Sequence, residues 1–422
     1  MHQLKKIGAI GGAISLALCW PLAVGQIGQN VIQDGILHLN SAAMSADVVS
    51  YDRGYLSSKV TTRYVIHDHE LAAQMAQDGL PSEFIVHSDL THGLVSLDAD
   101  SVIEGLEAIP LTLHTSTQLN GNTRYTVSMD SWNYVAQGAD NAVLSMSPST
   151  LSGQITVLGE VSYELDMPAA DIDFNHGESL HIVGLKGSGS GKKQGSFWLG
   201  EQTLSVDEVT LTDPAQAVWL GLKQGQYRVT SSMDEVNQTV SSQHVVRLND
   251  VIGQEGEVKS VGFDLTFGGL DMKSFDHLVN IYQNNPVLSE NEIEQAISQV
   301  ETLFTKGFYL TMNKLDVDLG DGAVFDSTWT VAVPEGTSGI SQNPMMVIPA
   351  LTGEINTFFS NQLVEQYPFI KQGVDEAIVM EFISQTQQGY QIQATLEQGN
   401  LVFNNGQKIP LMTLFLSAMM QP

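Results

Sequence analysis

Between residues 151 and 270 the chain alternates apolar and polar side chains in short runs, and this limits the fold more than any other feature. Residues 154–158, 179–183, 203–206, 226–230 and 262–267 each read as a strand, with Gly, Ser and Asp turn signals between them. Side chains on a strand point alternately to its two faces, so such runs build a sheet with one face apolar and the other wet. Many strands at short spacing predict an α+β, β-rich fold: a long antiparallel sheet or an open, barrel-like roll.

Helical patterns gather in the C-terminal third. Phe275, Leu278, Val279 and Tyr282 form one stripe. Ser289 to Glu292 reads as a capping box, opening a helix whose Ile293, Ala296, Ile297, Val300, Leu303 and Phe304 share a face and which Gly307 closes. Residues 352–366 and 373–386 read as two further amphipathic helices, residues 308–312 and 390–404 as strands, and Asn404-Asn405-Gly406 as a turn. Nearer the N-terminus, 31–49 and 69–79 read as helices and 60–66, 84–86 and 125–129 as strands. The expected division is a leader over 1–25, a β-rich region over 26–270 and an α+β region over 271–422, the last two continuous in one sheet if no boundary separates them.

The leader is distinctive. Lys5 and Lys6 precede an uncharged, mostly apolar run of 19 residues, 7–25. As a helix it would reach about 28 Å, close to the roughly 30 Å core of a bilayer. The basic flank keeps the N-terminus cytoplasmic and sends the rest across. A retained anchor and a cleaved signal both fit, since Ala23-Val24-Gly25 is a small-x-small site, but the length favours the anchor. Cys19 is the only cysteine, and Leu18 before it does not fit a lipoprotein box. Residues beyond the leader therefore hold no disulfide and no thiol metal site.

Eighteen basic residues face 47 acidic ones, a net charge of −29, and both charges of the leader are positive, so the remainder is more negative still. Such a body is repelled by phosphate backbones, which excludes nucleic acid as a partner.

No motif supplies a cofactor site. His67 and His69 would share a strand face, as a two-histidine metal site needs, but no third ligand can be named. Ala73 stands where an H-E-x-x-H pattern from His69 needs its second histidine. The run Gly187 to Lys193 lacks the glycine and the Ser or Thr of a phosphate loop and reads as a hairpin loop. Asp316, Asp318 and Asp321 echo a calcium loop, but Ser327 occupies its twelfth position, so an acidic turn is the better reading. No G-x-S-x-G elbow occurs, so no catalytic residue is assigned.

Residues 50–58, with Tyr51, Arg53, Gly54, Ser57 and Ser58 on a polar stretch about 25 residues past the leader, resemble the YdgA-like family of Gram-negative envelope proteins. His92-Gly93 resembles its His-Gly-Pro motif with Leu94 in place of proline. Leu199 to Ser205 and Asn405 to Lys408 resemble later signatures in the expected order. The resemblance implies a protein anchored in the inner membrane through residues 7–25 and exposed to the periplasm, with a homodimer among its expected states and no known enzyme activity. The expected role is a dimerising or protein-binding scaffold. The alternative is a lipid carrier with an apolar groove in a curved sheet. Tyr51, Arg53, Gly54, Ser57, His92 and Gly93 are expected to be structural, Gly54 at a bulge or bend and Arg53 paired with an acid or with Tyr51.

Overall fold

The computed structural model describes residues 23–413 apart from 35, 38–39, 41–43, 69–71, 74–75, 77–80, 105–108, 136–141, 255 and 285–287. Among the described residues strands dominate, 22 of them in one antiparallel sheet, with most helices in the C-terminal part. This is the β-rich architecture that the alternation predicts. Two compact units emerge: one runs to His176 and takes in Lys186–Ser190, and the other holds Gly177–Leu185 and everything from Gly191 on.

In the first unit, β1 (Met44–Arg53), β2 (Ser57–Ile66), β3 (Glu83–His92), β4 (Ser96–Glu104), β5 (Leu111–Gln118) and β6 (Thr123–Met129) follow one another as antiparallel neighbours. Next come β7 (Trp132–Val135), β8 (Val143–Met146), β9 (Ser149–Ile155) and β10 (Glu160–Asp173). β6 pairs with β9 and β7 with β8, and both β8 and β9 lie along β10. The gap between β8 and β9 contains Pro148, which has no N–H to give to a ladder. Ser147 bridges it: its N–H donates to Ala169 O (3.0 Å) and its Oγ accepts from Ala169 N (2.8 Å).

Residues 23–34 form a helix laid on this sheet. Val24 is fully buried and joins Val60, Leu90, Leu97 and Ala99 in the core, with Ile32, Val48, Tyr51 and Leu119 packed around them. The helix stands earlier than the predicted 31–49, and 44–49 belong to β1 instead. The pattern there is ambiguous because the chain changes from helix to strand in the middle of the window. The leader up to residue 22, His69 and most of the predicted 69–79 helix lie outside the described residues. Among the described residues no helix is long and apolar enough to cross a membrane.

The second unit contains β11 (Ser179–Gln194), β12 (Phe197–Thr212), β13 (Val218–Asp234), β14 (Thr239–Gly253), β15 (Gly256–Asp271), β16 (Phe308–Asp318), β17 (Val324–Val333) and β18 (Thr352–Ser360). From β12 to β18 each strand pairs with the next. β18 then meets β20 (Gly389–Glu397), whose far edge is shared by β19 (Ser384–Gln385) and β21 (Asn400–Phe403), and β22 (Lys408–Pro410) follows β21. The register sorts side chains onto two faces. One cross-strand row reads Met312, Trp329, Ile355, Ala394 and Phe403, all apolar. The next row, on the other face, reads Thr311, Thr330, Glu354 and Thr395.

The capping box is real. Ser289 N–H donates to Glu292 Oε2 (2.7 Å), Ser289 Oγ accepts from Glu292 N, and the helix Glu290–Lys306 stops at Gly307 with φ of 79°. Other expectations are corrected. Thr352–Ser360 is a strand, because Thr352, Glu354 and Asn356 alternate with the more buried Gly353, Ile355 and Thr357, a period of two. Ser360 caps a short helix, Asn361–Gln366, and the next helix is Pro368–Val379 in place of 373–386. Gly187 to Lys193 is not a loop: it lies inside β11, and the turn falls at Gly195-Ser196.

Candidate functional site

The residues singled out by the resemblance converge at one end of the first unit. A β-bulge brings Tyr51 there: the register of β1 on β2 shifts between Val48 and Ser50, so Val48 and Tyr51, three apart, both turn to the core while Val49 is exposed. Tyr51 then pairs with Val60, and Arg53 with Ser58. The β1–β2 connection closes tightly. Gly54 N–H donates to Ser57 O (2.7 Å), and a side chain on Gly54 would crowd that oxygen at 2.8 Å. The predicted bend at Gly54 is present, while the bulge sits at Val49. Gly93 makes the matching closure at the β3–β4 turn, N–H to Ser96 O at 2.9 Å.

Ser58 and His92 are diagonal neighbours on β2 and β3, buried to 2% and 6% exposure. Ser58 Oγ lies 2.8 Å from His92 Nε2, and His92 Nδ1 lies 3.2 Å from Tyr55 O. A carbonyl only accepts, so Nδ1 carries the proton and Nε2 accepts from the serine hydroxyl. The pairing looks like a nucleophile with its base. Its surroundings argue otherwise, since both groups are sealed under the helix of residues 23–34. Gly25 stands against the His92 ring, where even a Cβ would overlap Cε1, and Gly28 is as close to Leu97 Cδ1. A substrate carbonyl has no approach.

Arg53 Nη1 donates to Gln26 Oε1 on the same helix, not to an acid. The Tyr51 hydroxyl is buried without an aligned hydrogen-bond partner. Burial pushes its pKa above the usual phenol value, and the nearby Ser58 hydroxyl and Arg53 charge offset only part of this. Helix, phenol, imidazole and guanidinium thus form one seat, with glycines at the two closest approaches. Sequence reading named Tyr51, Arg53, Gly54, Ser57, His92 and Gly93 but missed Gly25, Gln26 and Gly28. The i, i+3 glycine spacing was their only signal.

The amino-acid pattern of residues 4–412 matches the family model of a group of bacterial proteins of unknown function, DUF945. The chain belongs to that family. No curated protein and no solved structure matches it. In this DUF945 chain one of the two metal candidates, His69, lies outside the described residues. His67 follows β2 and pairs through Nε2 with Ser45 Oγ (2.8 Å). Among the described residues no three His, Cys, Asp or Glu side chains come together as a metal site would need. Two of the three aspartates of the calcium-like segment already have partners. Asp316 binds Arg247 (2.7 Å) and Lys314 (3.3 Å), and Asp318 Oδ1 accepts from Gly320 N (2.8 Å) in the turn between β16 and β17.

Proposed function

We propose that this DUF945 protein is a YdgA-like component of the cell envelope, tethered to the inner membrane by residues 7–25 and working by binding, as a scaffold, rather than by catalysis. One observation carries the reading. The motif residues do not open onto a substrate. They close around the helix that continues directly from the apolar run, and so couple the β body to its tether. Val24 at the centre of the core supports retention of the leader, because cleavage after Gly25 removes a core side chain.

N-terminal mass analysis of the protein extracted from membranes tests the tether. Residues before Gly25 are expected in the mature chain, and a mature start at Gln26 refutes the tether. Light scattering on the purified full chain tests the dimer, which a monomer at every concentration rules out. The amphiphile carrier is the second reading. Its support is that Trp198 and Leu204 on β12, Tyr227 on β13 and Phe267 on β15 share the apolar face of the second unit and stay 38–47% exposed. Native mass spectrometry is expected to show co-purified lipid if that face carries acyl chains, and lipid-free protein refutes it.

A further inference from the structure

The second unit contains a groove that neither the motif cluster nor the apolar face uses. It lies over β16, β17, β18 and β20 and encloses about 560 Å³, well within the size range of small-ligand sites. Thr311, Thr330, Glu354 and Thr395 form one cross-strand row of its floor. Thr328, Asn356 and Gln393 form the next row on that face, flanked by Asn313 and Asn404. Met312, Trp329, Ile355 and Ala394 also border the groove, but as the alternate residues of these strands they belong to the opposite face.

The chemistry of this floor is unusual for an exposed sheet face, which ordinarily carries charges of both signs. Hydroxyls and amides predominate, and Glu354 is the only ionised residue of the lining. Several side chains are already oriented. Asn404 Nδ2 donates to Gln393 Oε1 (2.8 Å), and Gln391 Nε2 donates to Asn356 Oδ1 (2.9 Å). Asn313 Nδ2 reaches Asp264 Oδ1 (2.9 Å) and Thr266 Oγ1 (2.8 Å). These bonds use the amide oxygens of Gln393 and Asn356, so their NH2 groups remain as donors beside the Glu354 acceptor.

The lining selects by exclusion. A lone carboxylate in a chain of net charge −29 disfavours phosphates and other anions. An acyl chain meets mainly hydroxyl and amide side chains over this floor, with Phe358 the nearest apolar one on the same face of its strand. One carboxylate without histidine or a second acid does not hold a metal. A ligand rich in neutral hydroxyls meets both donors and acceptors at strand spacing. We propose that this groove binds a neutral oligosaccharide, with Glu354 accepting from sugar hydroxyls and Asn356 and Gln393 donating to sugar oxygens. The site is independent of the tether and of the apolar face, and can stand or fall without them.

The test is saturation-transfer NMR on the full chain in a sugar-free detergent, with chitotriose and maltotriose as probes. Expected is transfer to at least one trisaccharide, an affinity loss of tenfold or more in the exposed-surface variant Glu354→Gln/Asn356→Ala and a smaller one in Gln393→Ala, and no competition from inorganic phosphate. Circular dichroism checks that the variants fold. Absence of transfer from both sugars, undiminished transfer in the folded double variant, or displacement by phosphate overturns the assignment.

Discussion

Replacing Val24 with alanine tests whether the helix of residues 23–34 belongs to the folded body. The side chain is 0% exposed and touches a core built from β2, β3 and β4. Losing two methyl-sized groups there forfeits about 1.6 kcal/mol of transfer free energy, and the incompletely collapsed cavity raises the total to about 2–3 kcal/mol. That corresponds to roughly 30- to 150-fold more frequent opening of the helix seat. Amide hydrogen exchange reads it directly, because Ser57–Ile66 and Glu83–His92 are the strands beneath the helix. Their exchange is expected to accelerate by that factor, while β14 and β15 in the other unit stay unchanged. Leu204→Ala, at a 43% exposed position of the second unit, is the control and leaves β2 and β3 as they are. Unaltered protection of β2 and β3 in a folded Val24→Ala protein refutes the seat, and with it the structural reading of the motif.

Other perturbations probe the same seat and one distant loop. Ser58→Ala strands the buried His92 Nε2 without its donor and is expected to cost about 1–3 kcal/mol in urea unfolding. A change below 0.5 kcal/mol, on the order of ordinary surface substitutions, shows that the pair is not structural. Tyr51→Phe removes a buried hydroxyl that has no aligned partner, so stability is expected to hold or rise by up to about 1 kcal/mol, and a clear loss points to a ligand role for the phenol instead. Because burial raises the Tyr51 pKa above the ordinary phenol value, folding disfavours the phenolate, so stability is unaffected by this group below that value and falls as pH rises through the raised one, a fall absent from Tyr51→Phe. Glu301 is the opposite case. Its carboxylate accepts the N–H groups of Ser341 (2.9 Å) and Gly339, which hold its pKa below the ordinary carboxylate value. The order it lends to residues 339–341 is therefore present above that value and lost as pH falls through the lowered one. Faster exchange of that loop in acid, and at neutral pH in Glu301→Gln, checks it, and pH-independent protection sinks it.

Much of the fold was legible because strand and helix signals are local. The alternation over 151–270 specifies two-faced strands whatever they pair with, and the Ser289 to Glu292 box fixes a helix start within four residues. Where two periodicities meet, as at 31–49 and 352–366, a window mixes them and the boundary slides. The site was legible as a set of residues and illegible as an arrangement. Nothing near Ser58 announces His92, 34 residues away. Their contact needs the β2–β3 register, and Tyr51 joins them only because one extra residue at Val49 re-aims it.

By itself, then, the sequence determined the class of fold, the acidic composition with its single cysteine at position 19, and the apolar run ahead of Gln26. Tertiary structure alone decided what the motif's polar residues touch. A helix with glycines at positions 25 and 28 can approach a sheet more closely than any other residue would allow, and that approach buries His92, Ser58 and Val24 together. Periodicity counts along the chain, whereas burial depends on which distant segment lies on top.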